Sequence, residues 1–130
     1  MARTLLGVFA GLVVMLVVIA ALEAAGHALF PPPPGVDYGD PEQLRRVMEL
    51  LSPAALAAVL VGWVAGAALG ACTAAAIARE HRLSAAMSIG VVMLLLVVAN
   101  LVMLPHPWWI AIGSVLLPLP SAWLGYRLAR

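Results

Sequence analysis

Leu22-Glu23-Ala24-Ala25-Gly26-His27-Ala28-Leu29-Phe30, running into Pro31-Pro32-Pro33-Pro34-Gly35, is the stretch whose reading decides the fold. It closes a long apolar run, sets a carboxylate and an imidazole where only hydrocarbon belongs, and then stops. Proline has no N–H and its ring clashes with the preceding turn, so four in succession end the helix near Phe30. Glu23 and His27 stand four apart, which stacks them on one helix face, about 6 Å from each other. At about 1.5 Å of rise per residue, Glu23 lies roughly 10 Å below the stop and His27 about 5 Å. A carboxylate at that depth is costly unless it is paired, protonated or wetted. The spacing therefore predicts a partner for it from elsewhere in the chain.

The composition names the solvent. Of 130 residues, 65% are hydrophobic and 10% charged, and the mean hydropathy is +1.08. A soluble domain of this size leaves much of its surface in water and cannot hide so much apolar area. Lipid must surround most of it. All seven basic residues are arginine and the net charge is +1, with no basic patch interleaved with aromatics, which argues against nucleic acid as a partner. Cys72 is the only cysteine, so neither an intrachain disulfide nor a cysteine metal cage can form, and inside a span it reads as a small packing residue.

Taken in order, the chain predicts an all-α bundle of four transmembrane helices, a single integral membrane domain over residues 1–130. The apolar run Leu5–Leu22 exceeds the roughly 7–15 residues of a signal-peptide core, and Glu23–Ala28 beyond it offers a poor cleavage site. Residues 4–29 are thus read as a retained first span. A stiff proline-rich linker comes next. Asp40-Pro41-Glu42-Gln43 then announces a helix, with Asp40 as N-cap, Pro41 at N1 and Gln43 three residues beyond the cap. Leu44, Val47, Met48 and Leu51 give it one apolar face, while Glu42/Arg46 and Arg45/Glu49 are paired at i,i+4 on the other. Too short to span, this helix of the 31–52 loop is expected outside the cell, at the membrane surface or capping the bundle, with the surface placement preferred.

Ser52-Pro53 opens the second span, residues 54–78. Its most regular feature is a small residue at every fourth position: Ala54, Ala58, Gly62, Gly66, Gly70, Ala74 and Ala78. Such a stripe lets another helix approach backbone to backbone; packing within the chain is preferred here over a homodimer seam. A short polar turn, Arg79-Glu80-His81-Arg82, predicts an antiparallel third span, residues 83–104, with His81 as a solvated loop residue. After Pro105-His106-Pro107, residues 108–128 form the fourth, kinked at Pro118 and Pro120, where Ser114 or Ser121 is expected to help satisfy the freed carbonyls. Trp108 and Trp109 mark one interface, Trp123 and Tyr126 the other. Arginine counts orient the chain. One side holds Arg3, Arg79, Arg82, Arg127 and Arg130, the other Arg45 and Arg46, which predicts both termini in the cytoplasm of an inner-membrane, multi-pass protein.

This topology gathers polar residues at one end. Glu23 and His27 come from the first span, Asn100 lies about 7 Å below Pro105 on the third, and His106 sits in the next turn. Three readings of the cluster are open. It glues spans one and three through interhelical hydrogen bonds of about 0.6–2 kcal/mol each. It serves a small ion-coupled transporter, with Glu23 carrying the proton or substrate. Or Glu23, His27 and His106 bind a metal such as zinc, although E-x-x-x-H alone is a weak signal. No enzyme motif is present, neither a catalytic triad spacing nor a P-loop nor a dinucleotide fingerprint, and no cofactor is expected.

Together, Glu23–His27 (E-A-A-G-H), Pro31–Asp37 (P-P-P-P-G-V-D), Asp40–Glu42 (D-P-E) and Ala99–Pro107 (A-N-L-V-M-L-P-H-P) resemble a group of uncharacterised bacterial four-span integral membrane proteins over nearly the whole chain. The resemblance implies a bacterial inner-membrane protein and brings no activity with it. The small multidrug resistance transporters are similar in size and span number and carry a functional glutamate in the first span. That glutamate lies near mid-membrane and their loops are short, whereas here Glu23 lies toward one end and is followed by a twenty-residue loop. The reading is a small bacterial inner-membrane protein of unknown activity, for which an accessory role in a larger membrane complex is open, with the transporter as alternative and the metalloprotein third. Beyond the lipid bilayer, a homo-oligomer or a complex partner stays open.

Overall fold

The computed structural model describes residues 1–130. The chain is all-α, 81% helical with no strand. Six helices are formed: α1 (Ala2–Leu29), α2 (Pro41–Leu50), α3 (Pro53–Ile77), α4 (Arg82–Met103), α5 (Trp108–Leu116) and α6 (Pro118–Leu128). The helices α1, α3 and α4, and α5 with α6 taken as one, are long and apolar enough to cross a membrane, making a four-span bundle. One end of the bundle, the proline end, carries the 31–40 linker, α2 and the Pro105–Pro107 turn. The other, the hairpin end, carries both termini and the Ala78–His81 turn.

The central helix is α3. It packs against α1, α4, α5 and α6, while α1 approaches neither α5 nor α6, so α1 and the α5–α6 unit lie on opposite sides of the α3–α4 pair. Glycines set the α1–α3 contact. Helix α1 buries only Gly7, Gly11 and Met15, four residues apart. Opposite them run Ala74, Gly70, Gly66 and Gly62 in descending order, so the two helices are antiparallel. A Cβ built on Gly11 would lie 2.6 Å from the Gly70 carbonyl oxygen, and one on Gly7 2.7 Å from that of Ala74. No side chain fits there. On the far side of α3, Gly125 of α6 lies against Ala68, Ala71 and Cys72 in the same manner, and Gly90 of α4 faces Ala122. In lipid the apolar effect does not drive spans together, so dispersion between closely approaching backbones must.

Helix α2 is held by its caps. Asp40 Oδ1 accepts the Glu42 N–H at 2.9 Å, as an N-cap should. Gln43 departs from the capping-box geometry: its amide donates to Asp40 Oδ2 at 3.0 Å and accepts the Asp37 N–H at 3.1 Å, because the Asp40 N–H is already taken by the Asp37 carbonyl. Arg46 reaches Glu42 at 3.7 Å, but Arg45 and Glu49 form no ion pair; both are exposed, where such a pair gains little. Ser52 caps α3 through the Ala55 N–H at 3.2 Å. The fourth span breaks at Leu117, just before Pro118. The two serines do not serve the freed carbonyls. Ser121 Oγ donates to the Leu117 carbonyl at 2.7 Å and Ser114 Oγ to that of Ala111 at 3.2 Å, whereas Pro118 and Pro120 free those of Ser114 and Leu116. A hydroxyl bonds the carbonyl within its own turn, and these lie out of register. At the hairpin end Arg127 stacks over Trp123 and Arg130 over Tyr126, each 4.9 Å from the ring centroid.

Glycine substitutions should therefore grade by space. Gly11→Ala should cost about 1–3 kcal/mol through overpacking, and Gly66→Ala should behave likewise, since its Cβ would meet Ile19 at 2.6 Å. Gly26→Ala, with nothing within 4 Å, should melt like the parent. Thermal unfolding in detergent reads the series, and a Gly11→Ala variant as stable as Gly26→Ala would contradict the packing.

The Asp40 cap gives a pH dependence. The Gln43 amide first, and the Glu42 N–H second, hold the Asp40 carboxyl below its ordinary range. A carboxyl depressed in the folded state stabilises it above the unfolded value, near 3.9, and that contribution fades as pH falls through the lower folded value. Amide-exchange protection of α2, corrected for intrinsic rates, should fall below about pH 4. Asp40→Asn keeps an acceptor and should flatten that dependence; an unchanged profile would show that the carboxylate does not hold the helix.

Candidate functional site

A cavity of about 370 Å³ opens at the proline end, between α1, α3, α4 and the turn before α5, with α2 over it. Each wall derives from the sequence around it. Because α1 is pinned to α3 at Gly7, Gly11 and Met15, its last two turns run on beside α3 and present Leu22, Glu23, Gly26 and His27 to the cavity. From α3 come Ala55, Leu56, Val59 and Trp63, below its Ser52 cap. The end of α4 supplies Asn100 and Leu104, and the Pro105–Pro107 turn supplies His106. The amphipathic α2 lays Leu44, Val47, Met48 and Leu51 over the opening, and Val47 is buried in consequence.

Glu23, His27, Asn100 and His106 thus line one cavity. They do not bond to one another. The only side-chain hydrogen bond among them is that of His106, whose Nδ1 lies 2.8 Å from the Leu104 carbonyl oxygen. A carbonyl can only accept, so Nδ1 carries the proton and, in the neutral ring, Nε2 keeps its lone pair. The His106 ring also packs on Trp63, with centroids 6.5 Å apart and planes tilted by 52°, a favourable aromatic arrangement. Asn100 Oδ1 is buried with no partner. Such an acceptor costs about 1–3 kcal/mol. Glu23, for which the helix spacing demanded a partner, finds none in the chain and stands exposed to the cavity. The cluster therefore does not fasten α1 to α4, which are in contact at Gly11 and Ile89 instead.

Metal chemistry finds no scaffold. No group of three or more His, Cys, Asp or Glu side chains comes together closely enough to hold an ion. Glu23, His27 and His106 share the cavity without forming such a group. Gly62, Gly66 and Gly70 do not line the cavity; they carry the α1 contact that shapes it.

Two further residues belong to the site. Trp63 forms part of the wall beneath His106, and Tyr38, from the linker, lies at the rim. Trp63 sits one position from Gly62, on the part of α3 turned toward the proline end, and that adjacency was the available signal. Tyr38 carries none, since its place depends on how the linker folds back. At the opposite end, His81 is exposed and touches Thr4 Oγ1 through Nδ1 at 3.4 Å, remote from the cavity. Cys72 is half-buried in α3, beside Gly125.

Set against protein-family models, curated proteins and solved structures, the chain matches none of them, so the cavity itself must carry the functional reading.

Proposed function

We propose that this chain is a small carrier-type protein of a bacterial inner membrane, which takes a ligand into the cavity at its proline end and uses Glu23 as the titratable group. One observation supports this above the others. Four polar side chains from three segments line a common cavity without satisfying one another. Polar groups kept to join helices should be bonded to each other, since unmet groups are costly in a low-dielectric interior. Groups kept for a ligand are left open to it. A few polar groups among apolar walls, in a few hundred cubic ångströms, is the usual make-up of a small-molecule site.

The setting comes from the sequence. The five arginines of the hairpin end against two on the proline side support cytoplasmic termini, and the resemblance to bacterial four-span proteins supports the inner membrane. The cavity then faces the outer leaflet. An accessory role in a larger complex would use a different surface: α1 packs on α3 and α4 alone and leaves Leu5, Leu6, Phe9 and Val17 exposed. Lipid covers such a face as well as a partner does.

The test is transport. In proteoliposomes loaded with a pH-sensitive dye, a panel of amphiphilic solutes should include at least one that drives proton movement through the parent protein. Glu23→Gln keeps size and hydrogen-bonding ability, so it should melt with the parent yet move no protons. A variant as active as the parent would end the role of Glu23, and a parent silent to the whole panel would end the carrier reading.

A further inference from the structure

The polar atoms around the cavity are mixed: the Asn100 amide, the Trp63 indole N–H and the Tyr38 hydroxyl can donate, but none carries a fixed positive charge, and the strongest acceptor is the Glu23 carboxylate. Ionised Glu23 offers only acceptors. Asn100 Oδ1 is an acceptor, buried beside the cavity with no partner. His106 spends its one proton on the Leu104 carbonyl at 2.8 Å, which leaves Nε2 as an acceptor too. His27, one turn beyond Glu23, accepts or donates according to its tautomer. The seven arginines are the chain's only fixed side-chain cations, and none lines the cavity. An anion would find a carboxylate and no counter-charge. A metal ion would find no group of three ligands. What such a cavity lacks is a donor carrying positive charge.

We propose that the cavity binds a primary ammonium ion with an apolar body, its three N–H groups directed to Glu23, to Asn100 Oδ1 and to His106 Nε2, and its hydrocarbon laid against Trp63 and the apolar face of α2. The proposal deepens the carrier reading and rests on it. Three acceptors come from three places, α1, α4 and the turn after α4, and a –NH₃⁺ group carries three donors. Pairing the orphaned Asn100 oxygen, which takes rotation of its amide toward the cavity, removes a standing desolvation cost. Trp63 offers an apolar wall, and Leu44, Val47 and Met48 of α2 give the chain of the ligand an apolar lid.

The experiment titrates the full-length protein in nanodiscs, at neutral pH, with four probes sharing one chain: heptylamine, heptyltrimethylammonium, heptanol and heptanoate. Heptylamine should bind about tenfold or more tighter than each of the others, the worth of a charge-assisted hydrogen bond. Glu23→Gln and Asn100→Leu should each lose about tenfold for heptylamine, with little change for heptanol. Equal binding of the trimethyl compound, which has charge but no N–H donor, would overturn the proposal. Equal binding of heptanol would overturn it as well, while leaving the cavity as a binding site. If none of the four binds, the proposal and the carrier reading both fail. The probe series in the parent protein decides the matter even where a variant does not fold.

Discussion

The close approach of α1 to α3 is the constraint on which the rest depends. Gly11 and Gly70 face each other with no room for a Cβ on either, and Gly7 and Gly66 extend the same seam. The seam lies in the halves of α1 and α3 nearer the hairpin end. It fixes the line along which α1 leaves the bundle core. From there α1 continues for about four more turns, and Glu23 and His27 are carried to the side of the cavity. A wider crossing would splay those turns away from α4 and leave no cavity. Contact in lipid favours small residues because only backbone proximity gains enough dispersion to hold two apolar helices together. Glycine at the seam and a carboxylate at the rim are thus two parts of one device.

The short α2 depends on that device in turn. Ten residues form a marginal helix in isolation, and this one gains its order from Asp40, from Gln43 and from an apolar face that finds a place over the cavity. Its backbone stays clear of the four spans, so only side chains join it to the bundle. Leu44, Val47, Met48 and Leu51 make that attachment over the cavity. The polyproline linker before it and the Ser52-Pro53 start of α3 after it fix its two ends.

Much of the architecture was legible because it obeys local rules. Proline at 31 and 118, and the cap residues Asp40 and Ser52, decide where helices begin and end. The four-residue stripe of α3 announced a close contact, though not with whom. Its partner, Gly7-x-x-x-Gly11, was hidden in a span that is apolar all round and has no face to read. The polar cluster was legible in depth alone. Helical rise gives the height of Glu23 and Asn100, while the rotation of each helix, set by packing, decides whether two side chains meet. They line one cavity without bonding, which no spacing rule could state. Tyr38 and the unpaired Arg45 and Glu49 belong to the same class: the loop path and solvent screening act beyond the reach of sequence spacing.

The claim that the glycine seam builds the cavity is open to a direct measurement. In a Cys72→Ser background, His27→Cys and His106→Cys place one thiol on each side of the cavity, and a short bifunctional thiol reagent reports whether the two sides face each other. The account predicts an intramolecular crosslink in the otherwise native protein and its loss when Gly11→Leu is added. A crosslink that persists in the Gly11→Leu protein, or one that forms only between separate copies, would contradict it.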